Sequence, residues 1–332
     1  MEKINTIVIG AGVGGLGTAC WLKHFGVDFT VFDPAGELAL NLHNGVHYLH
    51  SAPELPFEFK LKKITLTDGV LENGQIYHKP TLNHSLEYSE KVREIQHPSS
   101  IMDVGKTDHV WMPKENTLNA LLEEMHSFSG KKNYRWKHWL KAIDCESRIA
   151  TFATESGDIQ IEYSSLVSTV PLDKMLPMVK CTVAPLLESN PVYITNYEVD
   201  RIVPNWMINI YVPALNNPIY RASFLNKICS IESIRELTED EMKNLVKESL
   251  KMFYVKTETG HKYTWKTGKV MSISTDDREQ IVNQLKEFGI YPLGRFGVWN
   301  RKLLVDSTIN QGRSIALHIN SPDWSKCLNS LV

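Results

Sequence analysis

Hydrophobic residues open the chain in one short run, and a glycine-rich stretch separates this run from a second one. Residues 6–9 and 29–33 are both rich in Val, Ile and Phe, which is typical of buried strands in a parallel sheet. Between them, residues 14–25 carry apolar side chains at helical spacing, and Gly26 suits the position that follows a helix. This order predicts a β-α-β unit whose two strands are parallel neighbours.

The middle of the chain changes to short apolar segments separated by turn residues, which indicates antiparallel strands. The dipeptides Asp68-Gly69 and Asn73-Gly74 predict two turns. Strands are also predicted across residues 136–171 and across the aromatic segment 192–230. Helical periodicity marks three further segments: residues 116–125, residues 238–253 with Thr238 as N-cap, and residues 309–319.

Together these elements predict an α/β protein in which a Rossmann-like dinucleotide-binding domain is interleaved with a smaller, sheet-containing substrate domain. The interleaving follows because the sheet-rich middle lies between two segments of nucleotide-binding type. The predicted boundaries are residues 1–60, 110–175 and 285–332 for the dinucleotide-binding domain, and residues 61–109 and 176–284 for the substrate domain.

A chain of 332 residues is long enough for such a core, and its net charge of −2 excludes a strong field for nucleic acid or anionic membranes. No segment approaches the length of a membrane-spanning helix, and the first strand begins after Met1-Glu2-Lys3, without room for a signal peptide. The five cysteines are scattered and form no CxxC pair, so we expect reduced thiols. The sequence thus predicts a cytoplasmic protein that binds neither membranes nor nucleic acid directly, and it leaves homodimer formation open.

The glycine stretch has the residues that the pyrophosphate of a dinucleotide requires. Gly10 permits a tight turn, Gly12 lets the backbone approach the pyrophosphate, and Gly15 lets the helix pack closely on the strand. The N-terminus of the following helix offers free N–H groups and a partial positive charge to the phosphates. Asp33 ends the second strand, where its carboxylate can accept hydrogen bonds from a ribose. These features predict a bound dinucleotide.

Later segments resemble motifs of the UDP-galactopyranose mutase family and of its FAD-binding relatives. Residues 45–51, Gly-Val-His-Tyr-Leu-His-Ser, resemble a GxHxxH(T/S) segment that lies beside the flavin in the mutases. Residues 168–171 resemble a strand-to-proline element that the mutases share with monoamine oxidases and protoporphyrinogen oxidases. Residues 294–299, Gly-Arg-Phe-Gly-Val-Trp, together with residues 306–312, resemble the C-terminal flavin motif, and residues 74–83 are more loosely similar to a GxLYxxPxN stretch. The resemblance implies that the dinucleotide is FAD.

In the mutases that these motifs resemble, reduced flavin attacks the anomeric carbon of a nucleotide sugar, the diphosphate leaves, and pyranose and furanose forms interconvert. By this resemblance, Arg295, Arg221 and His47 are the predicted catalytic residues. Arginine suits a departing diphosphate because its guanidinium binds phosphate bidentately and stays charged. The predicted cofactor contacts are Gly10, Gly12, Val13, Gly14, Gly15, Asp33, His47, Gly294, Arg295, Asp306, Thr308 and Ile309, and the predicted substrate contacts are Tyr220, Arg221 and Trp299.

Two other interpretations stay open on the sequence. A flavin amine oxidase or an FAD-dependent lyase would act on a C–N bond of a small molecule or of a modified nucleobase. A non-catalytic flavoprotein would keep the fold for binding or assembly. His43, His47 and His50 could suggest a metal site, but no nearby cysteine or carboxylate completes a tetrahedral set. We therefore predict no metal and interpret His47 as a neutral hydrogen-bonding residue at the flavin.

Overall fold

Two β-sheets organise the chain, and each collects strands from distant parts of the sequence. The computed structural model describes residues 1–38, 46–93, 101, 108–115, 117–179, 181–183, 185–200, 206–250 and 255–320. The strands are, in chain order, β1 (Glu2–Ile9), β2 (Phe29–Asp33), β3 (Leu61–Glu72), β4 (Gln75–Tyr77), β5 (His109–Pro113), β6 (Tyr134–Trp136), β7 (Trp139–Asp144), β8 (Ile149–Thr154), β9 (Gly157–Ser168), β10 (Ser189–Val199), β11 (Trp206–Tyr211), β12 (Ile219–Leu225), β13 (Ile228–Ser233), β14 (Val255–Val270) and β15 (Ile290–Pro292). The α-helices are α1 (Val13–His24), α2 (Leu82–Arg93), α3 (Asn119–Ser129), α4 (Leu172–Met175), α5 (Glu239–Ser249), α6 (Thr275–Glu287), α7 (Gly294–Gly297) and α8 (Val305–Asn320).

The first sheet contains the N-terminal β-α-β unit. Its strands follow the order β6-β2-β1-β9-β8-β7, and β15 pairs with the end of β9. Because β6, β2, β1, β9 and β15 run parallel, their carboxyl ends meet at one edge of the sheet. In open α/β sheets, ligands bind in the crevice outside this edge. The predicted α/β class and the predicted β-α-β unit are both confirmed.

The C-terminal part of the chain returns to the first sheet, where α8 packs along α1. The close approach of these helices depends on two glycines. A Cβ atom on Gly17 would lie 3.3 Å from the Cα atom of Ile309, and one on Gly312 would lie 2.8 Å from the backbone nitrogen of Thr18. The helix predicted from residue 309 begins earlier, at Val305. Its first turn therefore lies beside the start of α1.

The second sheet follows the order β14-β10-β13-β12-β11-β3-β4, and β5 pairs with the first half of β3. One predicted turn is confirmed, since Asn73 and Gly74 have φ angles of 50° and 76° and join β3 to β4. The other predicted turn is wrong, because Asp68 and Gly69 both lie inside β3. A Cβ atom on Gly69 would overlap the side chain of Ile76 on β4. This glycine therefore makes room for a neighbouring strand instead of reversing the chain.

The helices of the middle segment follow the sequence pattern in part. Thr238 caps α5 as predicted, with its hydroxyl accepting the Glu241 N–H and its own N–H donating to the Glu241 carboxylate. The helix predicted over residues 116–125 is α3, and the end of the predicted helix 238–253 lies outside the described residues. The pattern does not predict α2, because several of the side chains that this helix buries are polar. None of the described helices is long and apolar enough to cross a bilayer.

Lys91 anchors α2 to the second sheet. Its side chain is buried, and its ammonium group donates to the carbonyl oxygens of Val212, Ala214 and Ile219 at 2.7, 2.9 and 2.6 Å. These three carbonyl groups belong to the connection that leads from β11 into β12. The three N–H donors of the ammonium group are therefore all used in fixing the start of β12.

We expect Lys91→Met to lower the free energy of unfolding by about 2–4 kcal/mol, because buried carbonyl groups lose their donors. Thermal unfolding followed by circular dichroism measures the change. Lys243→Met on the partly exposed face of α5 serves as the matched control and should leave the melting temperature almost unchanged. Equal melting temperatures for the two variants would contradict the anchoring role.

Candidate active site

The glycine turn lies at the carboxyl edge of the first sheet and fits tightly against the end of β9. Gly10 has a φ angle of +97°, and its N–H donates to the carbonyl oxygen of Phe32 at 2.8 Å. The Thr169 hydroxyl donates to the carbonyl oxygen of Ile9 at 2.8 Å, and a Cβ atom on Gly10 would overlap this hydroxyl. A side chain at Gly10 would therefore strain the backbone and displace Thr169.

Gly12 and Gly15 differ in the space that surrounds them. A Cβ atom on Gly15 would overlap the carbonyl oxygen of Gly10, so this glycine allows α1 to approach β1. A Cβ atom on Gly12 would meet no atom of the described residues within 4 Å, so the Gly12 backbone faces open space among them where Val13 begins α1. A helix N-terminus of this kind presents free N–H groups to an anion. The turn has the shape that a bound pyrophosphate requires.

Asp33 lies at the end of β2 and is hydrogen-bonded to the turn beside it. Its Oδ2 atom accepts the Ala11 N–H at 2.6 Å, and its Oδ1 atom accepts the Ala35 N–H at 2.8 Å. The carboxylate therefore holds the glycine turn against β2, while each oxygen keeps a lone pair for a further donor. Binding of a ribose by Asp33 stays a prediction.

The C-terminal motif packs around the same turn. Gly294 has a φ angle of +79° where β15 leads into α7, and a Cβ atom there would lie 3.2 Å from Thr308 Cγ2. A Cβ atom on Gly14 would lie 3.1 Å from the same methyl group. The Nε atom of Arg295 donates to the carbonyl oxygen of Leu303 at 2.9 Å. These contacts place the start of α8 next to the glycine turn, and they fix the guanidinium of Arg295 to the loop that leads into α8.

The segment that follows residue 45 connects the first turn of α8 to the second sheet. The Oδ2 atom of Asp306 accepts hydrogen bonds from the N–H and the hydroxyl of Ser51, at 3.1 and 2.5 Å. At the other end of this segment, the Tyr48 hydroxyl accepts the side-chain N–H of Asn209 on β11 at 3.3 Å. His47 precedes Tyr48 and therefore lies between the two sheets.

A cluster of charged side chains lies on the second sheet. Arg221 on β12 and Glu232 on β13 are cross-strand partners, and the Nε atom of Arg221 donates to Glu232 Oε1 at 3.0 Å. The Nη2 atom of Arg221 donates to the same oxygen, and the Tyr220 hydroxyl donates to Glu232 Oε2. Lys269 on β14 lies 3.7 Å from Oε2, with its ammonium group 4.8 Å from the centre of the Tyr220 ring. Glu232 thus holds two cations and a tyrosine in place.

The charges of this cluster also shift the pKa values of His47 and Arg295. Burial lowers the pKa of His47 to about 4, with Glu232 opposing the shift and Arg221 and Arg295 adding to it, so the imidazole is neutral at pH 7. Burial also lowers the pKa of Arg295, and the charges of Arg221 and Arg93 lower it further. Because charge interactions fall off with distance, these mutual effects place Arg221, Arg295 and His47 within electrostatic range of one another.

The cations of the cluster outnumber its carboxylates. Burial lowers the pKa of Lys269 to about 7, although Glu232 acts in the opposite direction. Burial alone would raise the pKa of Glu232, but the charges of Arg221 and Lys269 lower it to about 2. Arg93 ends α2, and its Nη1 atom is buried without a hydrogen-bond partner among the described residues. With Arg295 included, the surplus of positive charge suits a multiply charged anion.

Tyrosines form the wall around these charges. The ring of Tyr88 lies 5.6 Å from that of Tyr211 and 6.1 Å from that of Tyr220, both in edge-to-face arrangements. Burial raises the pKa of these three phenols and of Tyr48, so all four stay neutral. These rings help to bury the charged groups of the cluster, and buried charges interact more strongly with a ligand than exposed ones.

The structure brings Arg221, Arg295, His47 and Tyr220 together, and it places Trp299 elsewhere. Trp299 is fully buried in the core beside α6 and β15, with a φ angle of +50°. Its predicted contact with the substrate gains no support from this position. Gly45 and His43 lie outside the described residues. The functional roles of the residues inferred from the resemblance all stay predictions.

Sequence reasoning did not find several members of the cluster. Glu232 could have been recognised in the sequence, because it is a charged residue at the end of an apolar strand and its ion-pair partners are distant in sequence. Lys269 and Arg93 left no comparable signal. Only the pairing of distant strands and the packing of α2 bring them to one place.

Comparisons with solved structures identify the fold of this chain. No protein-family model matches the chain, and no curated protein matches its sequence. The structure of reduced UDP-galactopyranose mutase matches with a TM-score of 0.73 at 14% identity, over 98% of this chain and 97% of that chain. A protein from Exiguobacterium sp. 255-15 assigned as a protoporphyrinogen oxidase gives 0.66 at 11% identity, over 97% of this chain and 99% of that chain. Aklavinone-11 hydroxylase, solved with FAD and aklavinone, gives 0.57 at 11% identity, over 97% of this chain and 63% of that chain.

These matches define the class to which the fold belongs, the Rossmann-like fold of FAD-binding proteins. Within this class, the fold is similar to that of UDP-galactopyranose mutase over nearly the whole chain. The structural similarity therefore agrees with the resemblance that the motifs showed. At identities this low, a shared fold does not determine the reaction or the substrate, and both must be inferred from the site itself.

Proposed function

We propose that this protein is an FAD-dependent enzyme that interconverts the pyranose and furanose forms of a nucleotide sugar through reduced flavin. The observation that carries the proposal is the buried cluster of Arg221, Lys269 and Tyr220 around Glu232, together with the charges of Arg221 and Arg295 that lower the pKa of His47. A nucleoside diphosphate needs such a site, because arginine binds phosphate oxygens in a planar, charged fork. The fold, which is similar to that of reduced UDP-galactopyranose mutase, is compatible with this reaction.

The residues at the carboxyl edge of the first sheet fit FAD. The backbone of Gly12 faces open space at the start of α1, where a pyrophosphate would accept N–H bonds. At the start of α8, the Oδ1 atom of Asp306 is buried without a hydrogen-bond partner among the described residues, and it would accept a hydroxyl of the cofactor. Asp33 would accept a ribose hydroxyl. The remaining contacts would come from Gly10, Val13, Gly14, Gly15, Gly294, Thr308 and Ile309.

Reduced FAD supplies a nucleophile and an electron sink when bound. The contribution of the chain is to position the substrate and to stabilise charge. Arg295 and Arg221 would hold the diphosphate as negative charge develops on it, which is the effect expected of preorganised donors. Glu232 accepts hydrogen bonds from Nε and Nη2 of Arg221 and so fixes the direction of its guanidinium. His47, neutral at pH 7, would donate or accept a hydrogen bond without changing the charge of the site.

We also propose that the two predicted domains correspond to the two sheets. The strands of the first sheet come from residues 2–33, 134–168 and 290–292, and those of the second sheet come from residues 61–113 and 189–270. We propose that the substrate binds between the two sheets. The cytoplasmic location, the option of a homodimer and the lack of direct nucleic-acid binding also stay predictions.

We expect the purified protein to be yellow and to release FAD, rather than FMN or NAD, on denaturation. After reduction with dithionite it should convert a UDP-pyranose into the furanose form, measured by chromatography, and return the flavin unchanged. A colourless protein that gains no flavin on reconstitution would contradict the proposed cofactor. Peroxide formed in air after addition of an amine, without conversion of a UDP-sugar, would instead favour the amine oxidase or lyase. A flavoprotein inert in both assays would favour the non-catalytic interpretation.

A further inference from the structure

Polar side chains form a row across five strands of the second sheet. The strand register pairs Asp68 on β3 with Asn209 on β11, Asn209 with Ser223 on β12, Ser223 with Ser230 on β13, and Ser230 with Asn196 on β10. Directly paired residues point to the same face of a sheet, so these side chains lie side by side. Neighbouring positions on the same strands, such as Gly69, Ile210 and Ala222, face the opposite side.

The side chains of this row are buried, although Asp, Asn and Ser residues usually lie on protein surfaces. Asn209 is 0% exposed, Ser223 2%, Ser230 1% and Asp68 9%. On one side of the row, Leu66, Met207 and Leu225 pack into the core that includes the first sheet. On the other side, Tyr211, Arg221 and Glu232 form the next paired row, which belongs to the charged cluster. The polar row therefore lies between a hydrophobic core and the proposed diphosphate site.

Two neighbouring acceptors of this row lack donors. The Oδ1 atoms of Asp68 and Asn209 are both buried, and neither has a hydrogen-bond partner among the described residues. The amide nitrogen of Asn209 donates to the Tyr48 hydroxyl, and a hydrogen bond from the same amide lowers the pKa of Asp68. Because a carboxylate can only accept, the nitrogen faces these two groups and the amide oxygen is left as the acceptor. Buried polar atoms are normally satisfied, so adjacent orphan acceptors indicate a ligand that carries hydrogen-bond donors.

We propose that Asp68 and Asn209 bind adjacent hydroxyl groups on the sugar of the substrate. A sugar offers two hydroxyl donors on neighbouring carbons, and a carboxylate beside an amide oxygen offers two matching acceptors. This inference rests on the proposed function, because it takes the diphosphate to lie on the neighbouring arginines. It adds two substrate contacts that neither the motifs nor the fold similarity indicate.

The spacing of the two rows fits one ligand. Arg221 lies two residues before Ser223 on β12, so the Cα atoms of these residues are about 6–7 Å apart along the strand. Asn209 and Asp68 lie one and two strands away from Ser223, which adds about 5 and 10 Å across the sheet. The long side chain of Arg221 and a glycosyl diphosphate would cover this separation together. Burial raises the pKa of Asp68 to about 6, with Asn209 and Arg221 lowering it in part, so the carboxyl group is mainly an ionised acceptor above that pH.

The test compares two ligands that differ only in the sugar. Isothermal titration calorimetry of the reduced, FAD-loaded protein gives the Kd of UDP-galactose and of UDP. The wild type should bind UDP-galactose more tightly than UDP. In Asp68→Asn, the Kd of UDP-galactose should rise by about 10–100-fold, whereas the Kd of UDP should stay within about twofold. Asn209→Ala, checked for flavin content, should show the same selective loss.

Glu72→Gln is the matched control, because it removes a carboxylate from the same strand at a partly exposed position. It should change neither Kd. An equal loss of UDP and UDP-galactose binding in Asp68→Asn would overturn the sugar contact and assign Asp68 a structural role. An unchanged Kd for UDP-galactose in both variants would overturn it as well. A wild type that binds neither ligand would overturn the proposed function and this inference together.

Discussion

Gly12→Val is expected to fold normally and to retain no flavin. Gly12 has ordinary extended backbone angles, φ −80° and ψ −172°, which valine also adopts. Within the part of the chain that the structure describes, a Cβ atom there would meet no atom within 4 Å, so the new side chain would occupy the space that the pyrophosphate needs. The flavin absorbance of the purified variant, before and after reconstitution with FAD, measures the loss. The stability of the two flavin-free proteins should differ by less than about 1 kcal/mol.

Gly15→Ala provides the contrast, although the substitution is smaller. Its methyl group would overlap the carbonyl oxygen of Gly10, and backbone atoms cannot move aside as a flexible side chain can. We expect a destabilisation of about 1–3 kcal/mol or more, as for overpacked cores, measured by thermal unfolding of the flavin-free protein. A yellow Gly12→Val protein, or a Gly15→Ala protein as stable as the wild type, would show that the two glycines do not have these separate roles.

The sequence reveals the glycine turn because the turn is a local feature. A strand, three spaced glycines, a helix and an acid follow one another within residues 6–33, and each is recognisable from its own neighbours. The C-terminal return to the first sheet was also predictable, but only through the resemblance of residues 294–312 to a flavin motif. Composition and periodicity alone contain no information that β15 pairs with β9.

The charged cluster shows what sequence patterns cannot supply. Arg221 and Glu232 are cross-strand partners, while Lys269 and Arg93 come from a distant strand and from a helix that the pattern missed. Long-range pairing decides their proximity, and no local rule contains it. The dipeptide Asp68-Gly69 illustrates the opposite error, since a sequence typical of turns is buried in the centre of a strand. Its aspartate lies in the polar row, and its glycine admits a neighbouring side chain.

Arg295→Ala is expected to abolish most of the affinity for nucleoside diphosphates while destabilising the protein less than Arg221→Ala does. No salt bridge to a carboxylate holds Arg295 within the part of the chain that the structure describes, and the cations around it lower its pKa along with burial. Removing its charge therefore relieves repulsion in the unliganded protein. Truncating a buried charged contact should weaken UDP binding by about 2–5 kcal/mol. Arg295→Lys should recover little of this, because an ammonium group lacks the planar fork.

Arg221→Ala should differ from Arg295→Ala in its effect on stability. It leaves Glu232 buried with fewer partners, and breaking a buried pair in this way costs about 3–5 kcal/mol. The double variant Arg221→Met/Glu232→Gln should regain much of that stability but not the binding of UDP. Calorimetric titration of the reduced proteins with UDP, together with thermal unfolding, separates the two effects. If neither arginine variant weakens UDP binding while the flavin stays bound, the nucleotide-sugar reaction loses its main physical support, and an amine oxidase or lyase becomes the better interpretation.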